Sequence, residues 1–122
     1  MKIIVTHASS FDYEKELYVP LKKAVEGNGH ELIFPHVWHA QNKSTKEFLK
    51  DTGLVIGEVS YPSTGQGVEF GWADTMNIPI LFLRKQGAKS SSALKYLKGD
   101  YIEYASEGEL IEKVRMYLNE RK

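Results

Sequence analysis

Short β-branched runs alternate along this chain with longer stretches in which apolar residues recur every three or four positions. Residues 3–6, Ile3-Ile4-Val5-Thr6, predict a first strand, with a loop around residues 7–11 after it. Leu17, Leu21, Ala24 and Val25 recur at three-, four- and seven-residue separations. They predict one apolar helix face that ends at Gly27-Asn28-Gly29. Asp12, Glu14 and Glu16 near its start suit the positive end of the helix dipole. Residues 31–34 predict a second strand halted by Pro35, residues 36–43 a loop, and Ser44 or Thr45 a cap for a short helix carrying Phe48 and Leu49. Residues 54–59 form a third strand signal, apolar enough at its start to be buried on both faces. A loop over 60–67 and a helix from about 68 to 76 follow, then a fourth strand at 80–83, with Pro79 tolerated at its beginning. A short helical region at 90–98, a fifth strand at 101–104 and a helix at 107–120 carrying Leu110, Ile111, Val114, Tyr117 and Leu118 complete the pattern.

Five strand signals separated by helices predict a parallel sheet covered on both faces. The expected architecture is a three-layer, doubly wound α/β domain of the flavodoxin/Rossmann kind, five-stranded in the order 2-1-3-4-5. Residues 1–122 are read as a single domain, 42% hydrophobic and large enough to bury roughly two-thirds of its unfolded surface. With 16 Lys+Arg against 16 Asp+Glu, no net charge draws the chain to a nucleic-acid polymer or an anionic membrane. The absence of cysteine excludes a disulfide, an iron–sulfur cluster, a zinc knuckle and a thiol nucleophile. The apolar start is too short for a signal-peptide core, and no run approaches a membrane span, so a soluble cytoplasmic protein is the expectation.

Candidate chemistry concentrates in residues 57–71, Gly57-Glu58-Val59-Ser60-Tyr61-Pro62-Ser63-Thr64-Gly65-Gln66-Gly67-Val68-Glu69-Phe70-Gly71, which join a buried strand to a helix. In an open parallel sheet that junction lies at the carboxyl edge, where ligands bind. Gly65 and Gly67 let backbone amides approach an anion, and Ser63 and Thr64 offer hydroxyls. The spacing is neither GxxxxGK[ST] nor GxGxxG, so neither a nucleoside triphosphatase nor a dinucleotide-binding fold follows. Glu69, near the expected helix start, is either a first-turn hydrogen-bond acceptor or a carboxylate able to attack an electron-poor sugar carbon.

The stretch E-V-S-Y-P-S-T-G-Q-G-V-E-F-G resembles the E-V-x-x-P-S-x-G-x-G-x-E-x-G of the nucleoside 2-deoxyribosyltransferase-like family, especially the branch that hydrolyses deoxynucleoside 5′-monophosphates. The resemblance continues through Ala73, Pro79-Ile80-Leu81-Phe82-Leu83-Arg84 and Ser92-Ala93-Leu94. It implies cleavage or transfer at an N-glycosidic bond, with Glu69 as the nucleophile that attacks C1 of the deoxyribosyl group. It further implies that Ser63 contacts the 5′-phosphate, that Ser92 does so from a neighbouring subunit of a homodimer, and that Gly65 and Gly67 shape the pocket. No metal or organic cofactor is implied. Three positions depart from the pattern. Ile3-Ile4-Val5-Thr6-His7-Ala8-Ser9-Ser10 stands where the family has a strand tyrosine and an arginine-bearing loop, and Thr45 stands near the family's orienting aspartate. Phosphate recognition by an arginine fork is then lost unless Arg84, Lys85 or Lys89 reaches in.

His7, with Ser9 and Ser10, is a candidate replacement for part of that loop, against an ordinary loop role. Tyr61 is either a base-stacking or hydroxyl-bearing residue or a partly buried loop aromatic, and Trp38 and Trp72 either wall a base or pack. His36 and His39 lack the HExxH spacing of a metal site, and Lys43, Lys46 and Lys50 read as a solvated face. The alternative to an enzyme is a nonenzymatic nucleotide- or phosphosugar-binding protein derived from the same family; an unrelated flavodoxin-like module is a third reading.

Overall fold

The computed structural model describes residues 1–38 and 45–121. His39, Lys43 and Ser44 lie outside the described residues, as do the side chains of Trp38 and Thr45. Five strands, β1 (Lys2–His7), β2 (Glu31–Ile33), β3 (Leu54–Glu58), β4 (Ile80–Lys85) and β5 (Asp100–Tyr104), form one sheet in the order β2-β1-β3-β4-β5. Every described pairing is parallel, as the alternation of strands and helices requires. The helices are α1 (Val19–Val25), the short turns α2 (Pro35–Trp38) and α3 (Thr45–Phe48), α4 (Thr64–Thr75) and α5 (Glu107–Asn119), with a 3-10 turn at Ser92–Tyr96.

Alternate strand residues feed two cores. Ile3, Val5, Leu54, Ile56, Leu81 and Leu83 face α1 and α5, where Leu17, Leu21, Leu110, Val114 and Leu118 cover them. Ile4, Val55, Ile80 and Phe82 face the opposite layer, closed by Phe48, Leu49, Phe70 and Ala73. Because the central strands are apolar on both sides, neither face can be left to water. Gly57 is set by packing: a Cβ there would lie 2.2 Å from the Phe70 ring.

Several boundaries differ from the sequence expectation. Residues 36–38, expected in a loop, belong to α2, and the expected helix at 90–98 contracts to the 3-10 turn. His7 is the last residue of β1 rather than the first of a loop. Ahead of α1 the chain makes a π-helical turn, Glu14–Tyr18, in which the Val19 amide donates to the Glu14 carbonyl. Pro20, inside the helical run, has no amide proton to return to the preceding turn, and the turn widens. The largest change is in α4, which begins at Thr64, not near residue 68. Gly65 and Gly67 are therefore helical, and Glu69 lies in the second turn.

Candidate active site at the carboxyl edge of the sheet

Between β1 and β3 the chain reverses its winding, since α1 packs on one face and α4 on the other. The carboxyl ends of these two strands are the position where open α/β sheets take ligands. One side of this position comes from β1 and the helical turn after it. His7, buried, lies with its ring stacked on Tyr13 at 4.3 Å between centroids, with Tyr18 at 5.2 Å and His36 at 5.2 Å. Its Nδ1 lies 2.7 Å from the Ala8 carbonyl and its Nε2 2.5 Å from the Tyr18 hydroxyl. Burial pushes His7 below its ordinary 6.5, the carbonyl contact opposes this, and His36 adds to the lowering. Burial, reinforced by Tyr13, Glu14 and Glu69, pushes the Tyr18 phenol well above the usual range. Ser9 and Ser10 follow in an exposed bend and are not drawn into this cluster by any described hydrogen bond.

The opposite side is β3, its loop and α4. Ser63 caps α4, its hydroxyl oxygen accepting from the Gln66 amide at 3.3 Å. The Gln66 side chain, only 4% exposed, donates to the Glu58 carbonyl at 2.8 Å and to the Thr6 hydroxyl at 3.3 Å, tying α4 to the ends of β3 and β1. Glu69, half-buried, follows on the same helix, and its charge is felt at Tyr18. Pro62, Ser63, Thr64, Gly67 and Ser91 line an open cleft of about 350 Å³ beside the cap. Ser91, which caps the 3-10 turn, lines this cleft, and Ser92 beside it is exposed as well. Gly65 is exposed, and a Cβ at Gly65 or Gly67 would meet nothing within 4 Å.

Tyr61 stacks on Phe11 at 4.8 Å, and Lys85 covers this pair with its ammonium 3.0 Å from the Tyr61 hydroxyl and 2.5 Å from Glu16. Burial works against the Lys85 charge, but the hydrogen bonds to Glu16 and Tyr61 outweigh it and raise its pKa. Of the cations considered as replacements for an arginine, Lys85 therefore reaches the loop, whereas Arg84 turns to Glu103 at 2.8 Å. A separate hollow of about 420 Å³, lined by Lys15, Glu16, Lys85, Tyr104 and Ser106 among others, lies toward α5 and shares only Lys85 with the Phe11–Tyr61 stack.

Tyr18, Gln66 and Ser91 were missed from sequence. Ser63 and Gln66 have the S-x-x-Q spacing of a helix start, which the adjacent proline and glycines obscured. Pro20 inside an apolar helix pattern was the signal for the widened turn that carries Tyr18. Among the described residues no helix is long and apolar enough to cross a membrane.

No family model matches the chain. A protein of Syntrophotalea carbinolica named as a 2′-deoxynucleoside 5′-phosphate N-hydrolase is 44% identical over 43 residues, a segment that spans 35% of this chain and 30% of that relative. In fold, the chain is similar to the CMP N-glycosidase BcmB of Clostridium botulinum, with a TM-score of 0.70 and 22% identity over 93% of this chain and 98% of that one. A flavodoxin-like domain from Synechococcus aligns with a TM-score of 0.59 and 11% identity over 97% and 99% of the two chains, marking the same architecture. The chain is thus similar over a short segment to a deoxynucleoside 5′-phosphate N-hydrolase, of whose length it matches under a third, and it shares the three-layer α/β fold of the two solved structures.

Proposed function

We propose that this protein cleaves or transfers the N-glycosidic bond of a 2-deoxynucleoside or its 5′-monophosphate, with Glu69 as the nucleophile. The observation that supports the reading is the position of Glu69 on α4, half-buried and near enough for its charge to be felt at Tyr18, on the helix whose cap, Ser63, lines an open cleft. A Glu69 oxygen attacks C1′, and the C1′–N bond breaks. Its electron pair leaves with the base, which takes a proton from water. A second step passes the glycosyl group from Glu69 to water or to another base.

The cleft beside Ser63 suits the 5′-phosphate. The Ser63 oxygen already accepts from Gln66, and the Ser91 oxygen from Ala93, so both hydroxyl protons are available to an anion. Gly67 in the lining keeps the wall open, as does Gly65 at the exposed start of the helix. Tyr61, stacked on Phe11, offers an aromatic wall for the base. His7 orders the floor beneath, while Ser9 and Ser10 lie exposed at the rim. This donor set requires no metal or organic cofactor. Homodimerisation belongs to the same reading: Val68 and Met76 project from α4, 48% and 44% exposed, and Ser92 is free to serve a neighbouring subunit. Light scattering across concentration tests it, and a monomer that keeps full phosphate preference removes the intersubunit role of Ser92.

The test of function is incubation with deoxynucleosides, their 5′-monophosphates and CMP, with and without a second free base, followed by chromatography. Released base supports hydrolysis, and exchanged base supports transfer. Faster release from monophosphates supports the Ser63–Ser91 cleft, while equal rates remove it. Binding without turnover across the whole panel replaces the enzyme with a nucleotide- or phosphosugar-binding protein.

A further inference from the structure

We infer that Gln66 is the residue that positions the Ser63 hydroxyl on the cleft, and that the cleft tells a phosphorylated ligand from an unphosphorylated one only while the Gln66 side chain is tied to the sheet. The inference rests on the reading of that cleft as the place of the 5′-phosphate. Its starting point is how little else holds the first turn of α4. Thr64, Gly65 and Gly67 are exposed, and of residues 64–67 only Gln66 is buried. The two glycines lose more conformational freedom in a helix than any other residue and bring no side chain to pack. Beside the turn, a cavity of about 80 Å³ lies among Val59, Phe70 and Leu94, and it adjoins the cleft through Ser63, Gly67 and Ser91. The capping turn is thus not backed by close-packed side chains on that side.

Gln66 supplies the anchor. The Glu58 carbonyl 2.8 Å away can only accept, so the end of the amide turned to it is the NH2 group, whose second proton reaches the Thr6 hydroxyl oxygen at 3.3 Å. Both acceptors stand at the carboxyl ends of neighbouring strands, where Thr6 pairs with Gly57 and His7 with Glu58. Thr6 and Gln66 are 3% and 4% exposed, so an apolar replacement of the amide leaves buried acceptors at the strand ends. The backbone amide of the same residue donates to Ser63 Oγ at 3.3 Å, and the Gly67 amide donates to the Ser63 carbonyl at 3.1 Å. One residue therefore joins the strand ends to the cap. Its side chain fixes where the first turn sits, and its amide engages the Ser63 oxygen and leaves the hydroxyl proton for a ligand. Phe70, seated against Gly57, holds α4 at a second point one turn on, but the Gln66 point is the one bonded to Ser63.

Titration calorimetry of the four deoxynucleoside 5′-monophosphates against their nucleosides, in the wild-type protein, Gln66→Met, Ser63→Ala and the double variant, tests the inference. Methionine matches glutamine in length and brings no donor. Gln66→Met is expected to lower the affinity ratio of monophosphate to nucleoside about tenfold, the scale of one hydrogen bond to a charged group, and to lower it no further in the Ser63→Ala background. A residue that only stabilised the fold would lower the melting temperature and leave the ratio unchanged; that result, or an equal loss with and without the Ser63 hydroxyl, overturns the inference. Thr6→Val removes one of the two acceptors with little change of shape and carries the test if Gln66→Met does not fold: a smaller loss of the same sign is expected, and an unchanged ratio overturns the role of Gln66. Amide hydrogen exchange needs no ligand. In Gln66→Met the amides at positions 66 and 67 are expected to exchange about tenfold faster while those later in α4 keep their protection, and a uniform acceleration along the helix overturns the anchor. Equal binding of monophosphate and nucleoside by the wild-type protein overturns the phosphate reading of the cleft, whereas a wild-type preference that Gln66→Met retains overturns the role of Gln66 alone.

Discussion

Two carboxylates bracket the loop that joins β3 to α4, and the fold uses them differently. Glu58, at the end of β3, is 0% exposed; its oxygens accept from the Ser60 amide at 2.5 Å and from the Tyr104 hydroxyl. Glu69, in the second turn of α4, is half-buried. A buried carboxyl group with both oxygens engaged holds the sheet edge together and is not available to a substrate. A half-buried one beside an open cleft can be approached by a sugar while losing part of its hydration. The same residue type is thus a structural tie at one end of the loop and the candidate reagent at the other.

Exchanging their contributions by mutation is the way to break this comparison. Glu69→Gln keeps size and much of the hydrogen bonding, and glycosidic cleavage is expected to fall by roughly two to four orders of magnitude with the melting temperature little changed. Glu58→Ala should do the reverse. It leaves the Ser60 amide and the Tyr104 hydroxyl without their buried acceptor and opens a cavity, a cost of about 3 kcal/mol in a denaturant melt. If Glu58→Ala lost turnover without losing stability, the division of labour would fail.

Tyr104 sharpens the same contrast through pH. Burial, with the hydrogen bond to Glu58 and that group's charge, raises its phenol above the usual 10.0. A raised folded value means that this contribution is fully present below pH 10 and is lost as pH rises beyond it. Each additional pH unit in that window costs about 1.4 kcal/mol per such group. Tyr104→Phe, less stable at neutral pH, should show a shallower alkaline decline in the same melts. The smallest expected effect is at the cap: Ser63→Ala is expected to lower stability by about 1 kcal/mol and to erase preference for monophosphates over nucleosides in titration calorimetry, with nucleoside binding retained.

The architecture was legible in sequence because its signal is redundant. The double-sided apolar character of β3, the β-branched run of β1 and the Leu110, Val114 and Leu118 stripe of α5 each reported their place, and parallel connections left few orders open. The site was legible only in part. Glu69 and Ser63 stood out through motif spacing and Tyr61 as an aromatic in the loop, but Pro62, Gly65 and Gly67 read as loop where Ser63 in fact starts a helix. Tyr18 shares the apolar side of the helix with Leu21 and Val25, so its spacing reads as core, and the π-helical turn in which it sits has no spacing signature of its own. Its pairing with His7 is a contact between a strand end and a helix, which no local pattern encodes. Ser91 lines the cleft and caps the 3-10 turn, a position that no local pattern singles out.

Rapid quenching of the protein mixed with a deoxynucleoside 5′-monophosphate, followed by peptide mass spectrometry, tests the central claim most directly. The account predicts a transient deoxyribosyl 5-phosphate adduct on the peptide carrying Glu69, absent from the Glu69→Gln variant. Turnover with the adduct on another residue, or cleavage by the Gln variant at the wild-type rate, would contradict it.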